Sequence, residues 1–289
     1  MDDTTVLTRP DASTPTPAIF RPDAAQAFDV VAATVVFRVV RGELSIGLPF
    51  APSDGGELLR VVPTAAPDAR EADGGLDAAA RSAAARVVAA REIVRISNAG
   101  VRAMPAAAGV QARLAVVSWA IARPVLHTAD AVQALEADEA FVPLAALSGL
   151  DAPTRAILSC AFDAFLDATL ADALTRRLLP RHILFRKTDG FTHRSPFETA
   201  LGAAAQPSDP EIPIFVGLLP DPFPLSALRE LYERLLDAPL DRGNFRRQFH
   251  EIIAAGPIKA LPIFERGVPH RAGQLFTFDK PAWAKFAST

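Results

Sequence analysis

The chain has 289 residues, half of them apolar, with 30 Lys and Arg against 33 Asp and Glu for a net charge of −3. That length suits one large domain or two modest ones with a real core, and a balance this near neutral excludes a generally basic nucleic-acid coat, so any DNA contact has to come from a local patch. No apolar run is long and clean enough to span a bilayer, so no membrane partner is expected.

Residues 1–24 are acidic, rich in Thr and Pro and without an apolar centre; the expectation is a disordered tail and not a secretory signal. From 28 to 40, FDVVAATVVFRVV is β-branched and apolar and reads as a strand. RGEL makes a turn, LSIGLPF a second strand, and ELLRVVP (57–63) a third. A polar, turn-rich segment over 64–75 leads into a helix expected from Leu76 to Arg95, where alanine supplies high propensity. A strand follows at 112–121 (ARLAVVSWAI), then a short helix at 129–137 and the segment AFVPL. Residues 152–179 read as one long amphipathic helix closed by Pro180. That helix carries the single cysteine, Cys160, which makes neither an internal disulfide nor a zinc site; a buried packing role and a reducing cytoplasm fit it. The order of strands, helix, strand and helix predicts an α/β (α+β) domain over 25–180, a mixed sheet with helices against it.

Residues 181–212 read as an insertion or linker: RHILFRKTDGFTHRS is basic, with Arg186, Lys187, His193 and Arg194, and ETALGAAAQPSDPE is loop-like. Beyond it, over 213–289, the pattern changes. Leu225, Leu228, Leu231, Leu235 and Leu236 share one face of a helix. PLDRGNFRRQFHEII (239–253) makes a second, and PIFER and QLFTF flank the glycine-containing loop GVPHRAG. Helix, helix and a β-hairpin with a basic tip is the outline of a winged helix-turn-helix.

On a wheel of 3.6 residues per turn, Phe245, Phe249, Ile252 and Ile253 cluster toward the core. Gly243, Asn244, Arg247 and His250 point away, Arg246 sits on the flank, and Asp241 is placed to cap the N-terminus. An outer face with Arg242, Asn244, Arg246, Arg247 and His250 suits DNA, because Arg grips phosphate or guanine and Asn reads adenine. Arg266, His270 and Arg271 at the hairpin tip are candidates for phosphate or minor-groove contact. The competing reading is a solvated amphipathic helix, and Glu251 on the outer face favours it.

LPDPFPLSALRELYERLLDAPLDRGNFRRQF, with the hairpin after it, resembles the C-terminal winged-helix domain of the Nudix-related transcriptional regulators of NAD metabolism. The resemblance is carried by PxPFxL, LxxLYExLL and above all PLDRGNFRRQF, and it implies that Asn244, Arg246 and Arg247 belong to the DNA-facing helix. It also implies a Nudix-like domain in front, a double-stranded DNA operator as partner, and repression of NAD-biosynthesis genes. A two-fold operator would call for a homodimer.

A Nudix hydrolase holds Mg²⁺ with carboxylates from the helix motif REUXEEXGU, U being aliphatic. The best placement here is RSAAARVVA, Arg81 to Ala89: the glutamate positions become Ser82, Ala85 and Arg86, and the glycine becomes Val88. Glu71, Asp73 and Asp77 lie upstream, where they suit the helix start. The five histidines (His127, His182, His193, His250 and His270) show no ligand spacing. The expectation is therefore no catalytic residue, no metal and no cofactor, with the domain serving as a sensor of an effector such as NAD, ADP-ribose or a related nucleotide. Arg60, Arg81, Arg86 and Arg113 are the candidates to meet its phosphates. Two alternatives stay open: an active ADP-ribose hydrolase, and a protein-interaction module that uses the winged helix.

Overall fold

The computed structural model describes residues 29–52, 58–68, 75–104, 112–124, 139–179, 212–265 and 272–287. The expected tail at 1–24, the short helix at 129–137, the basic stretch at 181–211 and the wing-tip residues Arg266, His270 and Arg271 lie outside them.

The first strand, β1 (Asp29–Val40), turns through Arg41 and Gly42 into β2 (Glu43–Gly47). Both turn residues have positive φ, 51° and 81°, the conformation that lets a two-residue connection match the twist of a hairpin. β2 stops at Gly47, where a Cβ would lie 2.3 Å from a methyl of Val87. The single strand expected from LSIGLPF is therefore two: a separate β3 (Phe50–Pro52) pairs with β4 (Leu58–Arg60) in a small ribbon. β5 (Thr64–Ala65) then lies beside β1, inside the segment expected to be all turn, and takes the flank that β2 leaves free. β7 (Arg113–Ala122) runs parallel to β1, and all other pairings among the described residues are antiparallel, so the sheet is mixed; with β6 (Ile93–Met104) and β8 (Phe141–Pro143) its order is β6-β7-β1-β2-β8.

Period-two alternation decides what each face of this sheet meets. Ala33, Val35 and Phe37 of β1 and Val117, Trp119 and Ile121 of β7 face α2 (Ala152–Ala171), where Phe165 stacks on Phe37 at 4.4 Å and meets Trp119 edge-on at 5.5 Å. Ala32 and Val36 face the other way, toward α1 (Leu76–Ala84) and the turn after it. The side chains that α1 buries are mostly alanines, and Thr34 donates its hydroxyl to the Ala80 carbonyl at 2.9 Å, so this helix lies close on the sheet.

Two expected helices need correction. The helix expected to reach Arg95 ends at Ala84, and Ile93–Met104 forms β6, an edge strand paired along β7. Val87 and Val88 drop into the core against Val36 and Phe141, and Ile93, Val94 and Ile96 are β-branched, so packing overrides the alanine propensity. The helix expected over 152–179 breaks at Asp172, whose extended backbone (φ −60°, ψ 130°) begins α3 (Ala173–Leu178). Its Oδ1 accepts from the amides of Leu174 and Thr175 at 2.8 and 3.0 Å, so the break is an N-cap.

The C-terminal elements are α4 (Ile214–Leu218), β9 (Phe223–Pro224), α5 (Leu225–Leu236), α6 (Arg242–Ala255), β10 (Ile258–Phe264), β11 (Gln274–Phe278) and α7 (Lys280–Ala287). β10, β11 and β9 make a three-stranded sheet, the hairpin as expected plus one short strand before α5. One buried cluster runs from the β1–β7 sheet through α2 and α3 into α5, α6 and β11.

Candidate nucleic-acid interface

The segment PLDRGNFRRQFHEII becomes α6 for local reasons. Asp241 Oδ1 accepts from the Asn244 amide at 2.8 Å and closes the N-terminus. Gly256, at φ 105°, takes the left-handed position that ends the helix. Ahead of it, α5 stops at Asp237 (φ 48°), and Glu233 fastens the turn by accepting from the Leu240 amide at 2.9 Å while pairing with Arg229. The two helices and their short turn are therefore held from both ends.

Phe245, Phe249 and Ile252 are buried, and Ile253, expected beside them, is half-buried. Phe245 meets Tyr232 of α5 at 6.3 Å, and Phe249 meets Phe276 of the wing edge-on at 4.8 Å. Seating that face leaves Arg242, Gly243, Asn244, Arg246, Arg247 and His250 exposed, with Gly243, Asn244, Arg247 and His250 outward and Arg246 on the flank of the wheel. Arg247 donates to Asn244 Oδ1 at 3.0 Å, and Arg246 donates through Nε to His250 Nε2 at 3.4 Å. Arginine has no acceptor, so Asn244 must offer it the carbonyl oxygen and present its NH₂ outward. The exposed surface is thus rich in donors, matched to phosphate oxygens and to the acceptor edge of guanine. Glu251 is exposed on the same helix and is the one acid there.

Residues 215–278 match the family model of the NrtR DNA-binding winged helix domain. The C-terminal domain is an NrtR-type winged helix. Over 88% of its length the chain also shares its fold with NrtR of Shewanella oneidensis. The solved structure of that protein complexed with a 27mer DNA aligns over 88% of this chain and 94% of that one, with a TM-score of 0.53 at 16% identity. A second structure, of Shewanella oneidensis NrtR, aligns over 88% of this chain and 95% of that one, with a TM-score of 0.53 at 16% identity. A MutT/nudix family protein from Enterococcus faecalis aligns over 88% of this chain and 89% of that one, with a TM-score of 0.44 at 10% identity. No curated protein matches in sequence.

The part in front of the NrtR-type domain is a mixed sheet with helices on both faces. The motif positions Ser82, Ala85 and Arg86 offer no carboxylate to a Mg²⁺ ion. α1 ends at Ala84, so the motif positions Ala85 and Arg86 lie past the helix, and the one position on it is Ser82. Among the described residues no group of three or more His, Cys, Asp or Glu is placed to hold a metal.

The four effector candidates sit on separate segments. Arg60 ends β4, donates to the carbonyls of Leu48 and Glu139 at 3.2 and 3.1 Å, and lies over the Phe50 ring at 4.3 Å. Those contacts hold the β3–β4 ribbon to the sheet. Arg81 is in the last turn of α1, Arg86 follows it, and Arg113 opens β7; all three are exposed. No hydrogen bond or ion pair joins any two of the four among the described residues. A cleft of about 380 Å³ between the turn after β8 (Phe141–Pro143) and α2 is lined by Ile46, Leu144, Leu147, Arg155 and Phe162, and by none of these four.

Sequence reading missed the junction between the NrtR-type domain and the sheet. Thr175 of α3 and Tyr232 of α5 share a buried hydrogen bond of 2.7 Å. Burial pushes the Tyr232 hydroxyl up, and the nearby Asp172 charge adds to this. Burial likewise holds the Asp172 carboxyl above the ordinary range, against the amides of Thr175 and Leu174, the charge of Arg95 and the Thr175 hydroxyl. The signal that was available is the D-x-x-T spacing at 172–175, a cap pattern inside what reads as one helix.

A carboxyl raised in the folded state supports folding most while protonated, below the unfolded value of about 3.9, and loses that support as pH rises through the folded value. Asp172→Asn keeps the Oδ1 acceptor and never ionises. Its melting temperature relative to wild type is expected to climb from acid to neutral pH. A difference that stays flat with pH would show that Asp172 is not the group that burial perturbs.

Proposed function

We propose that this protein is a transcriptional regulator that represses NAD-biosynthesis genes and senses an NAD-related nucleotide through a non-hydrolytic Nudix-like domain. The observation that carries the reading is the exposed face of α6: Arg242, Asn244, Arg246, Arg247 and His250 stand together on the second helix of an NrtR-type winged helix. The solved Shewanella oneidensis relative is described in complex with a 27mer DNA, which supports the same partner here. In this reading the chain divides into an effector domain at 25–180, a connecting stretch at 181–212 and a DNA-binding domain at 213–289. A winged helix reads only a few base pairs, so the working form is a homodimer in the cytoplasm on a two-fold operator. Arg266, His270 and Arg271 of the wing tip join the interface. Arg81, Arg86 and Arg113 are the effector contacts, with Arg60 held by its own carbonyl partners.

The test is an electrophoretic shift of the promoters of its own gene and the neighbouring operon, at two salt concentrations, with and without NAD, ADP-ribose and nicotinate mononucleotide. A sequence-specific shift that one nucleotide alters is the expected result. Binding to no promoter at low salt would leave a protein-interaction role for the winged helix. In parallel, ADP-ribose incubated with the protein and Mg²⁺ is expected to be recovered intact. Release of AMP would restore the hydrolase reading despite Ser82, Ala85 and Arg86.

A further inference from the structure

We infer that α3 is the positioning element of the DNA-facing helix, and that Thr175 and Tyr232 are the positioning residues through which it acts. The inference rests on the DNA-binding reading of α6 and adds how that helix is aimed.

Six residues long, α3 lies among the sheet, α5, α6 and α7. Its cap, Asp172, is drawn by the charge of Arg95 on β6, whose guanidinium lies over Trp119 of the sheet at 5.0 Å. Its Leu174 and Leu178 are in the shared core, and the helix lies against α6. Arg177 reaches over the Phe286 ring of α7 at 4.2 Å. At its centre the Thr175 hydroxyl meets Tyr232, which in turn backs Phe245 of α6.

Apolar packing is non-directional, so leucines alone allow α5 and α6 to slide or rotate against the sheet. A buried hydroxyl pair does not: any seating that separates Thr175 from Tyr232 leaves the Tyr232 hydroxyl unpaired in the core and Thr175 with Asp172 alone. Specific recognition needs the helix aimed at base edges, whereas non-specific attraction to phosphates tolerates a loose pose. A residue that only holds the fold together and a residue that aims the helix therefore separate in experiment.

The experiment uses the full chain as wild type, Thr175→Val, Thr175→Ser, Tyr232→Phe and the Val/Phe double variant. Melting temperature is measured for each. Affinity is measured at one salt concentration for a duplex selected from a random pool by the wild-type chain, and for an unrelated duplex. Thr175→Val strands the Tyr232 hydroxyl and Tyr232→Phe leaves the Thr175 hydroxyl with Asp172 alone, so both are expected to melt lower. The double variant strands no hydroxyl and is expected to melt above Thr175→Val. Affinity for the selected duplex is expected to fall about tenfold in both singles and to stay low in the double, while Thr175→Ser restores it. Affinity for the unrelated duplex is expected to be unchanged throughout.

Selected-duplex affinity that recovers with melting temperature in the double variant would make the pair a plain stability contact and overturn the inference. So would unchanged affinity in every variant. A wild-type chain that selects no duplex overturns the DNA-binding reading itself, a distinct result visible before any variant is made.

Discussion

Replacing Arg246 and Arg247 together with alanine is expected to weaken operator binding about a hundredfold and to lower the slope of log affinity against log salt by roughly two. Both guanidiniums are exposed on α6, Arg247 bonded to Asn244 on the outer face and Arg246 to His250 from the flank. A phosphate that no longer meets an arginine keeps its condensed counterion, so the number released on binding falls by about one for each. An arginine that instead grips guanine bidentately is worth about 1–3 kcal/mol more on that sequence alone. The two roles can be told apart by comparing selected and unrelated duplexes over a salt series. A uniform loss assigns both arginines to phosphate, and a loss confined to the selected duplex assigns at least one to a base. The folded state should hardly notice, since exposed substitutions of this kind stay within about 0.5 kcal/mol. Unchanged affinity with an unchanged salt slope would remove α6 from the interface.

Phe249→Ala is expected to cost about 3–5 kcal/mol of folding free energy and to abolish operator binding. Phe249 is fully buried on the inner face of α6 and stands edge-on to Phe276 of β11, which packs in turn on Phe223 of β9. Without its ring, no aromatic contact among the described residues holds the DNA-facing helix on the wing, in a chain whose whole stability is expected to be about 5–15 kcal/mol. Denaturant unfolding monitored through Trp283, which lies 6.0 Å from Phe278 of the same wing, reads this directly. The neighbouring exposed His250→Ala is the control and should leave the midpoint nearly in place. Equal midpoints for the two variants would show that α6 is not anchored by its aromatic face.

Much of this architecture was legible residue by residue. The β-branched runs at 28–40 and 112–121 became β1 and β7, each strongly apolar because each is covered on both sides. Asp241, the phenylalanines and the arginines of α6 fell where a helical wheel puts them, since a capped helix with a sharp apolar stripe needs little from its surroundings. Alanine misled. It favours helix everywhere, and nothing local in AAARVVAAREIV marks where α1 stops and β6 begins. The boundary is drawn by Val87 meeting Gly47 and by Ile93 finding Ala122, partners tens of residues away. The same holds for the break at Asp172, where the leucines on either side continue one apolar pattern while the backbone changes direction to bring Thr175 to Tyr232.

The sequence by itself determined the winged helix, the identity and common exposure of the α6 donors, and the absence of glutamates from the Nudix motif positions. These are properties of short segments, where side-chain type and helical period act over a few residues. Only the tertiary structure decided that Arg60 is tied to two carbonyls while Arg81, Arg86 and Arg113 stand apart, and that α3 joins the sheet to the DNA-facing helix. Those outcomes depend on which distant segments share a core, and a hydrophobic core ranks its members by fit and burial, which no local pattern records.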